Sequence, residues 1–266
     1  METTPARMLS GFEWLMLALA IAVAAFLILP TLIIVPMSFG TDGYLNFPPR
    51  GFTFRWYGEF FNDGDWLRAA WFSLKVGVLT TVVSVVLGTA AALALTRSRV
   101  PFGGLMQLVI IMPMILPQIV VAIALLLFYQ QLGMVGSIAA FVASHACLAI
   151  PFVLFSVSAI LKRYDVDLDA AAYVCGADRF TIFRRITLPI IWPGIASGAL
   201  FSFLISFDEA VISFFLSGVS DKAIARKFFE DVELNVTPVL AAVATLLTLA
   251  TILVLAATAF LKSDRK

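Results

Sequence analysis

The chain has 266 residues, of which 61% are hydrophobic and 13% are charged, and its formal net charge is +1. So much apolar surface does not fit inside a soluble core of this size, so the composition indicates an integral membrane protein and excludes an ordinary soluble domain. The single histidine, His145, excludes a multi-histidine metal site, and we expect no metal in this chain.

Long stretches without Asp, Glu, Lys or Arg predict membrane-spanning helices. A helix needs about 20 residues to cross a bilayer, so the uncharged run 100–161 must hold two helices, which turn at Gly133 and Gly136. We predict an all-α polytopic membrane protein with six transmembrane helices in a single domain, residues 1–266. The predicted spans are 14–37, 69–96, 103–130, 137–161, 190–216 and 237–261.

Basic residues are unevenly divided between the two sides that six spans define. With both termini inside, the cytoplasmic segments hold eleven Lys and Arg residues and the outer segments hold six. The positive-inside rule therefore favours an N-in/C-in topology, which places the segment 165–189 in the cytoplasm. The eleven inner residues are Arg7, Arg97, Arg99, Lys162, Arg163, Arg179, Arg184, Arg185, Lys262, Arg265 and Lys266.

The first outer segment contains an aromatic-rich stretch, residues 52–61. One interpretation is an aromatic belt at the membrane interface. The other is that Trp56 and Tyr57 contact a docking substrate-binding protein or line the outer gate. We keep Trp56 as a candidate for the substrate path.

Span three contains Pro113 and Pro117, and Gln118 follows the second proline. Proline interrupts backbone hydrogen bonding, so we expect irregular helix geometry facing a cavity, with Gln118 lining the path. His145 in span four has two interpretations, a hydrogen-bonded packing residue or a substrate contact.

The cytoplasmic stretch 165–189 is amphipathic. Asp165, Asp167 and Asp169 suit the positive end of a helix dipole, so a short helix should begin near Asp167. Gly176 should interrupt this helix, and apolar residues beside arginines follow it. From the residues alone, the segment either rests on lipid headgroups or binds a partner protein.

Two acidic residues, Asp208 and Glu209, fall within predicted span five, where charge is costly and therefore indicates function. On a continuous helix, Glu209 lies about 9 Å outward from the centre of the span. We predict that Glu209 and the serines on its face line the translocation path, and that Asp208 faces a neighbouring helix with Lys75 as its counter-ion. Those serines are Ser202, Ser206, Ser213 and Ser217.

The alternative interpretation of this serine face is structural. Serines permit close helix packing, and both acids would then form structural pairs.

The stretch 170–189 resembles the cytoplasmic coupling motif of permease subunits in bacterial ABC importers, which reads E-A-A, three residues, G, nine residues, I-x-L-P. The spacing matches, although the family's glutamate aligns with Ala170 and the nearest acid is Asp169. In that family the motif forms a helix in a cleft of the ATP-hydrolysing subunit. The resemblance implies coupling roles for Asp169, Ala170, Ala171, Ala172, Gly176, Ala177, Phe180, Phe183, Ile186, Leu188 and Pro189.

The stretch 206–218 resembles the spermidine/putrescine permease branch, in which an S-x-D-[DE] group precedes an apolar run ending in S-G or T-G. Ser206, Asp208 and Glu209 match position by position. In that branch, acidic residues along the path accompany cationic substrates. Gln118 departs from the branch, which commonly has Asp or Glu there, and leaves aminobutyrate, opines or aminophosphonates as alternative substrates.

The resemblance implies a type I ABC importer permease fold and alternating-access transport of a small cationic or zwitterionic amine across the bacterial inner membrane. The sequence has no Gly-x-x-x-x-Gly-Lys-[Ser/Thr] run, so we expect a transport subunit without cofactor, and ATP and Mg bound by a partner. The expected partners are two ATP-binding subunits, a paralogous second permease chain, an external substrate-binding protein and membrane lipid, but no nucleic acid.

Two other classes remain open at this stage. An ion-coupled secondary transporter would be expected to have a broken helix or inverted repeats, and neither is evident in the sequence. A membrane enzyme would need a nucleophile with its base or a metal cluster, and the sequence offers neither pattern.

Overall fold

The computed structural model describes residues 11–97, 100–218, 222–234 and 236–263, and these residues form helices joined by loops. Four of the basic residues counted for the topology, Arg7, Arg99, Arg265 and Lys266, lie outside the described residues, as does the Lys262 side chain. By contacts, the chain divides into two compact units. One comprises residues 1–62 and 231–254, and the other comprises residues 63–230 and 255–266.

The first unit contains two complete helices, α1 (Gly11–Met37) and α2 (Arg55–Asn62), and part of α12 (Pro238–Ser263). No side chain of α1 is buried, as suits an apolar helix surrounded by lipid. Between α1 and α2, the Phe39 ring stacks on Phe52, with ring centroids 4.8 Å apart.

The second unit contains the remaining helices and the polar residues of predicted span five. Its helices are α3 (Gly64–Arg97), α4 (Gly103–Ile115), α5 (Gln118–Gln131), α6 (Ile138–Leu161), α7 (Asp167–Val174), α8 (Arg179–Ile182), α9 (Leu188–Phe207), α10 (Val211–Leu216) and most of α11 (Ile224–Leu234). A π-helical turn, Phe183–Thr187, joins α8 to α9 without a break.

Helices α3, α6 and α9 form the core of the second unit, and glycines let them approach closely. A Cβ atom on Gly88 of α3 would lie 2.7 Å from Val153 Cβ, and one on Gly198 of α9 would lie 2.9 Å from Val153 Cα. Small residues at such crossings allow backbones in a membrane to pack by van der Waals contact. Val153 of α6 is fully buried between them.

The helices agree with the six predicted spans in position, but two spans are broken. Within the described residues, α1, α3, α6 and the run Arg179–Phe207 are long and apolar enough to cross a membrane, and α4 with α5 forms a fifth span bent by 102°. The sixth, α12, is apolar over Pro238–Leu253, the part whose side chains are described.

The two breaks have local causes. The helix of predicted span three is interrupted at Leu116 and Pro117, because proline has no backbone N–H to donate to the preceding turn. Predicted span five was expected to continue to residue 216, but α9 ends at Phe207 and α10 begins only at Val211. The prediction of one continuous helix over 190–216 was therefore wrong.

Candidate functional site

The breaks in the two spans are joined by a hydrogen bond between polar side chains. Gln118 opens α5, and its Nε2 donates to Glu209 Oε2 across 2.6 Å. Glu209 lies in the break between α9 and α10, and its Oε1 accepts from the backbone N–H of Ile212 at 2.9 Å. The carboxylate thus ties α5 to the start of α10.

Glu209 is held within the chain and is only 6% exposed. Each of its two oxygens accepts one hydrogen bond. Sequence reasoning selected Gln118 and Glu209 separately and did not predict that they pair. The available signal was local, since an acid directly before an apolar run can cap the helix that follows.

Asp208 and Lys75 do not form the predicted ion pair. Both side chains are exposed, and no ion pair joins them among the residues that the structure describes. The prediction failed because it placed Asp208 on a continuous helix, whereas the helix ends one residue earlier. Asp208 is instead an exposed acid beside the buried Glu209.

Three of the four serines of the predicted polar face, Ser202, Ser206 and Ser213, are buried inside the second unit, and Ser217 is half-buried. Ser206 Oγ lies 2.9 Å from His145 Nδ1, and His145 is 1% exposed, which favours the packing interpretation of this histidine. Ser202 Oγ, Ser213 Oγ and His145 Nε2 have no hydrogen-bond partner among the described side chains and backbone. Buried polar atoms of this kind are usually satisfied by water.

A cavity of about 410 Å³ lies beside the break between α4 and α5. Of the described residues that line it, only Gln118 is polar, and the others are apolar. They are Pro113, Met114, Leu116, Leu148, Phe152 and Ile205. The irregular geometry and the cavity expected at the prolines of span three are both present.

Trp56, the remaining candidate for the path, lies in the first unit. Its side chain is 5% exposed, and its Nε1 donates to the Gly40 carbonyl oxygen at 2.7 Å. The indole therefore holds the loop between α1 and α2, and little of it is free to meet a ligand.

The predicted coupling segment, residues 165–189, begins as expected and then turns sharply. Helix α7 starts at Asp167 and ends at Val174, and Gly176 has a φ of +84°. Only glycine adopts this left-handed conformation without strain. Asp178 caps α8, and hydrogen bonds from the Thr181 side chain and backbone lower the pKa of its carboxyl group.

The coupling segment presents apolar side chains to its surroundings. Val174 is 91% exposed and Phe180 67%. Three other apolar side chains are also exposed, those of Val166, Leu168 and Tyr173. Of the remaining predicted coupling residues, Ala170 and Ala171 are exposed and Ala172 and Ala177 are half-buried. Phe183 and Ile186 are half-buried in the π-helical turn, and Leu188 and Pro189 open α9.

Sequence reasoning missed Arg97, the last residue of α3, whose guanidinium group pairs with Asp169 of α7. The sequence offered only one weak signal, a basic residue at the inner end of a span. Across the described residues, no group of three or more His, Cys, Asp or Glu side chains is arranged to hold a metal ion.

The chain is similar to known transport proteins over nearly its whole length. A family model described as binding-protein-dependent transport system inner membrane component matches residues 84–265. The spermidine/putrescine transport system permease protein PotC of Escherichia coli (strain K12) is 34% identical over 248 residues, which are 92% of each chain. The putrescine transport system permease protein PotI of the same strain is 30% identical over 84% of this chain and 81% of PotI.

A solved structure shares the fold. A chain in the crystal structure of a bacterial alginate ABC transporter, in complex with an alginate pentasaccharide-bound periplasmic protein, superposes with a TM-score of 0.71. The match covers 93% of this chain and 92% of the other at 18% identity.

Proposed function

This chain belongs to the family of binding-protein-dependent transport system inner membrane components, and from that premise we propose that it carries a small cationic amine of the polyamine type. Members of the family are permease subunits of ABC importers. The chain is accordingly an inner-membrane transport subunit and not itself an enzyme. The observation that carries the proposed substrate is the Gln118–Glu209 pair beside an apolar cavity, with exposed Asp208 next to it.

The chemistry of the cavity favours a cation with an alkyl chain. Glu209 accepts from the nitrogen of the Gln118 amide, so the amide oxygen is left to accept a hydrogen bond from a substrate ammonium group. The apolar walls suit methylene groups, and the exposed acid Asp208 directly precedes Glu209 in the chain. A zwitterion would also bring a carboxylate that needs a positive counter-charge, and none of the described lining residues is basic.

The proposed partners follow from the exposed coupling segment. We propose that α7 and the residues after Gly176 bind one of two ATP-binding subunits, since apolar side chains of this segment are exposed among the described residues. ATP and Mg are bound there, and this chain needs no cofactor of its own. A paralogous second permease chain and an external substrate-binding protein complete the complex, which works by alternating access with this chain as one permease domain.

The sequence analysis left an ion-coupled secondary transporter open, and the argument against it was that no broken helix was evident. The structure does contain a broken span, α4 with α5, so that argument was wrong. Family membership now favours an ABC importer subunit over a secondary transporter, because the chain matches permeases of binding-protein-dependent systems over most of its length.

The test is ATP-dependent uptake by the complex rebuilt in proteoliposomes with its binding protein, using labelled putrescine, spermidine, aminobutyrate and an opine. We expect uptake of a polyamine, reduced by Asp208→Asn and more strongly by Glu209→Gln. The matched control is Glu233→Gln, which removes an exposed acid from α11. Uptake of aminobutyrate or the opine alone would contradict the proposed substrate and make Gln118 the residue that changed specificity.

A further inference from the structure

We infer that Arg97 is a positioning residue that links the coupling helix α7 to both α3 and the π-helical turn before α9. The inference rests on the proposed function, in which α7 contacts an ATP-binding subunit. It concerns the step that follows this contact, in which a displacement of α7 is transmitted to the helices that cross the membrane.

The link consists of three contacts made by one guanidinium group. Arg97 Nη1 lies 3.2 Å from Asp169 Oδ2 of α7. The same nitrogen donates to Thr187 Oγ1 in the π-helical turn at 3.2 Å. The guanidinium carbon lies 3.9 Å from the ring centroid of Tyr164, in the loop that leads into α7, which is within the range of a cation–π contact.

These residues also contact one another, so the link is a cluster. The Tyr164 hydroxyl donates to Asp169 Oδ1, and the Thr187 side chain is fully buried. The Arg97 and Asp169 side chains are only 22% and 24% exposed. A pair fixed by several contacts and partly shielded from water holds its geometry better than a solvated surface pair.

Two nitrogens of the Arg97 guanidinium group are available for a further hydrogen-bonded contact if α7 moves. Arg97 Nε and Nη2 are buried and have no hydrogen-bond partner among the described residues. These nitrogens form the side of the fork that binds two carboxylate oxygens at once. A shift of α7 that uncovers this edge would let Asp169 exchange its present single contact with Arg97 for a paired one, without releasing Arg97.

The resemblance implied a coupling role for Asp169, and the inference makes that role specific. Both oxygens of Asp169 are engaged within the chain, so its contribution to coupling is the contact with Arg97. Because Arg97 ends α3 and Thr187 ends the turn that continues into α9, pulling on Asp169 acts on two core helices together.

The experiment uses the whole complex in proteoliposomes and measures substrate imported per ATP hydrolysed, with co-purification of the ATP-binding subunit as a second readout. Arg97→Gln should keep the ATP-binding subunit bound and hydrolysis active while lowering import per ATP by about tenfold, a typical size for coupling between sites. Arg97→Lys should fall between wild type and Arg97→Gln, because lysine keeps the charge but loses the fork. Arg163→Gln, at an exposed neighbouring position, is the matched control and should behave as wild type.

A double-mutant comparison separates transmission from simple instability. Asp169→Asn added to Arg97→Gln should cause little further loss, because both changes remove the same contact. Additive losses, unchanged import per ATP in Arg97→Gln, or loss of the ATP-binding subunit from that variant would each overturn the inference. Failure of the wild-type chain to bind any ATP-binding subunit would instead contradict the proposed function.

Discussion

At the scale of the residue, the buried carboxylate of Glu209 depends on its two donors. An acidic group in a membrane protein is tolerated where its oxygens are hydrogen-bonded, and here Gln118 and the backbone of Ile212 supply the bonds. Gln118 therefore stabilises the chain in addition to lining the cavity. The two roles can be separated because one affects folding and the other affects transport.

We predict that Gln118→Leu lowers the free energy of unfolding by about 1–3 kcal/mol, since it leaves one buried carboxylate oxygen without a donor. Denaturant titration of the purified chain in detergent measures this change. The control is Ser202→Ala, which removes a buried hydroxyl that has no partner within the described residues and should leave stability almost unchanged. Equal stabilities for Gln118→Leu and Ser202→Ala would show that the Gln118–Glu209 bond does not support the fold.

A second residue-scale prediction concerns pH and Glu230 of α11. Burial raises the pKa of this carboxyl group, but hydrogen bonds from Lys222 at 2.7 Å and Arg226 at 2.8 Å outweigh it, and the pKa is lowered. A carboxyl group with a lowered pKa in the folded state stabilises it above the ordinary glutamate pKa, and this contribution is lost as pH falls through the folded-state pKa.

Melting curves at several pH values test this assignment. Wild type should be more stable than Glu230→Gln at neutral pH, and the difference should shrink in acid. A difference that does not change with pH would mean that the two ion pairs contribute nothing through the charge of Glu230.

At the scale of the element, the beginning of α7 could be predicted because three aspartates mark it within five residues. The end of α9 could not be predicted from the sequence. The residues on both sides of the break are apolar, so the prediction assumed that one helix continues through it. Its cause is a capping contact, the Glu209 side chain on the Ile212 N–H, three residues on. Such a contact competes with continuation of the helix and leaves no periodic signal.

The turn after α7 gives the first element-scale prediction. Gly176 has a positive φ, and a Cβ atom there would meet nothing within 4 Å, so only the backbone conformation requires glycine. Gly176→Ala should cost about 1–2 kcal/mol locally, and Gly176→Asn less, because Asn tolerates the left-handed region.

We expect substrate-driven ATP hydrolysis to fall in the order wild type, Gly176→Asn, Gly176→Ala, with all three proteins at equal abundance in the membrane. Gly176→Asp should lower transport further than Gly176→Asn, because it adds a negative charge at an exposed position of the segment proposed to bind the ATP-binding subunit. Gly104→Ala in α4, where a Cβ also meets nothing, is the control. Normal uptake by Gly176→Asp would refute a coupling role for this turn.

The crossing of α3, α6 and α9 gives the second element-scale prediction. Gly198→Ala places a Cβ against the Val153 backbone, which cannot rotate away as a side chain can. We expect a loss of about 1–3 kcal/mol in unfolding free energy, measured by denaturant titration in detergent beside Gly104→Ala. Wild-type stability in Gly198→Ala would mean that the helices cross less closely than described.

At the scale of the whole molecule, the sequence predicted the membrane class, the positions of the spans and the family, because composition and motif spacing are local properties. It could not predict the contacts that assemble the site. Gln118 and Glu209 are 91 residues apart, and Arg97 and Thr187 are 90 apart. No spacing rule connects such residues, and in a membrane protein apolar residues on every face weaken the periodicity that would orient each helix.

The measurement that tests the account most directly is ATP hydrolysis by the complete complex in lipid, with its binding protein, in the presence and absence of putrescine or spermidine. The account predicts that a polyamine stimulates hydrolysis and that Glu209→Gln in this chain suppresses the stimulation while basal hydrolysis remains. Stimulation by aminobutyrate or an opine but by no polyamine would contradict the assignment of a cationic substrate to this path.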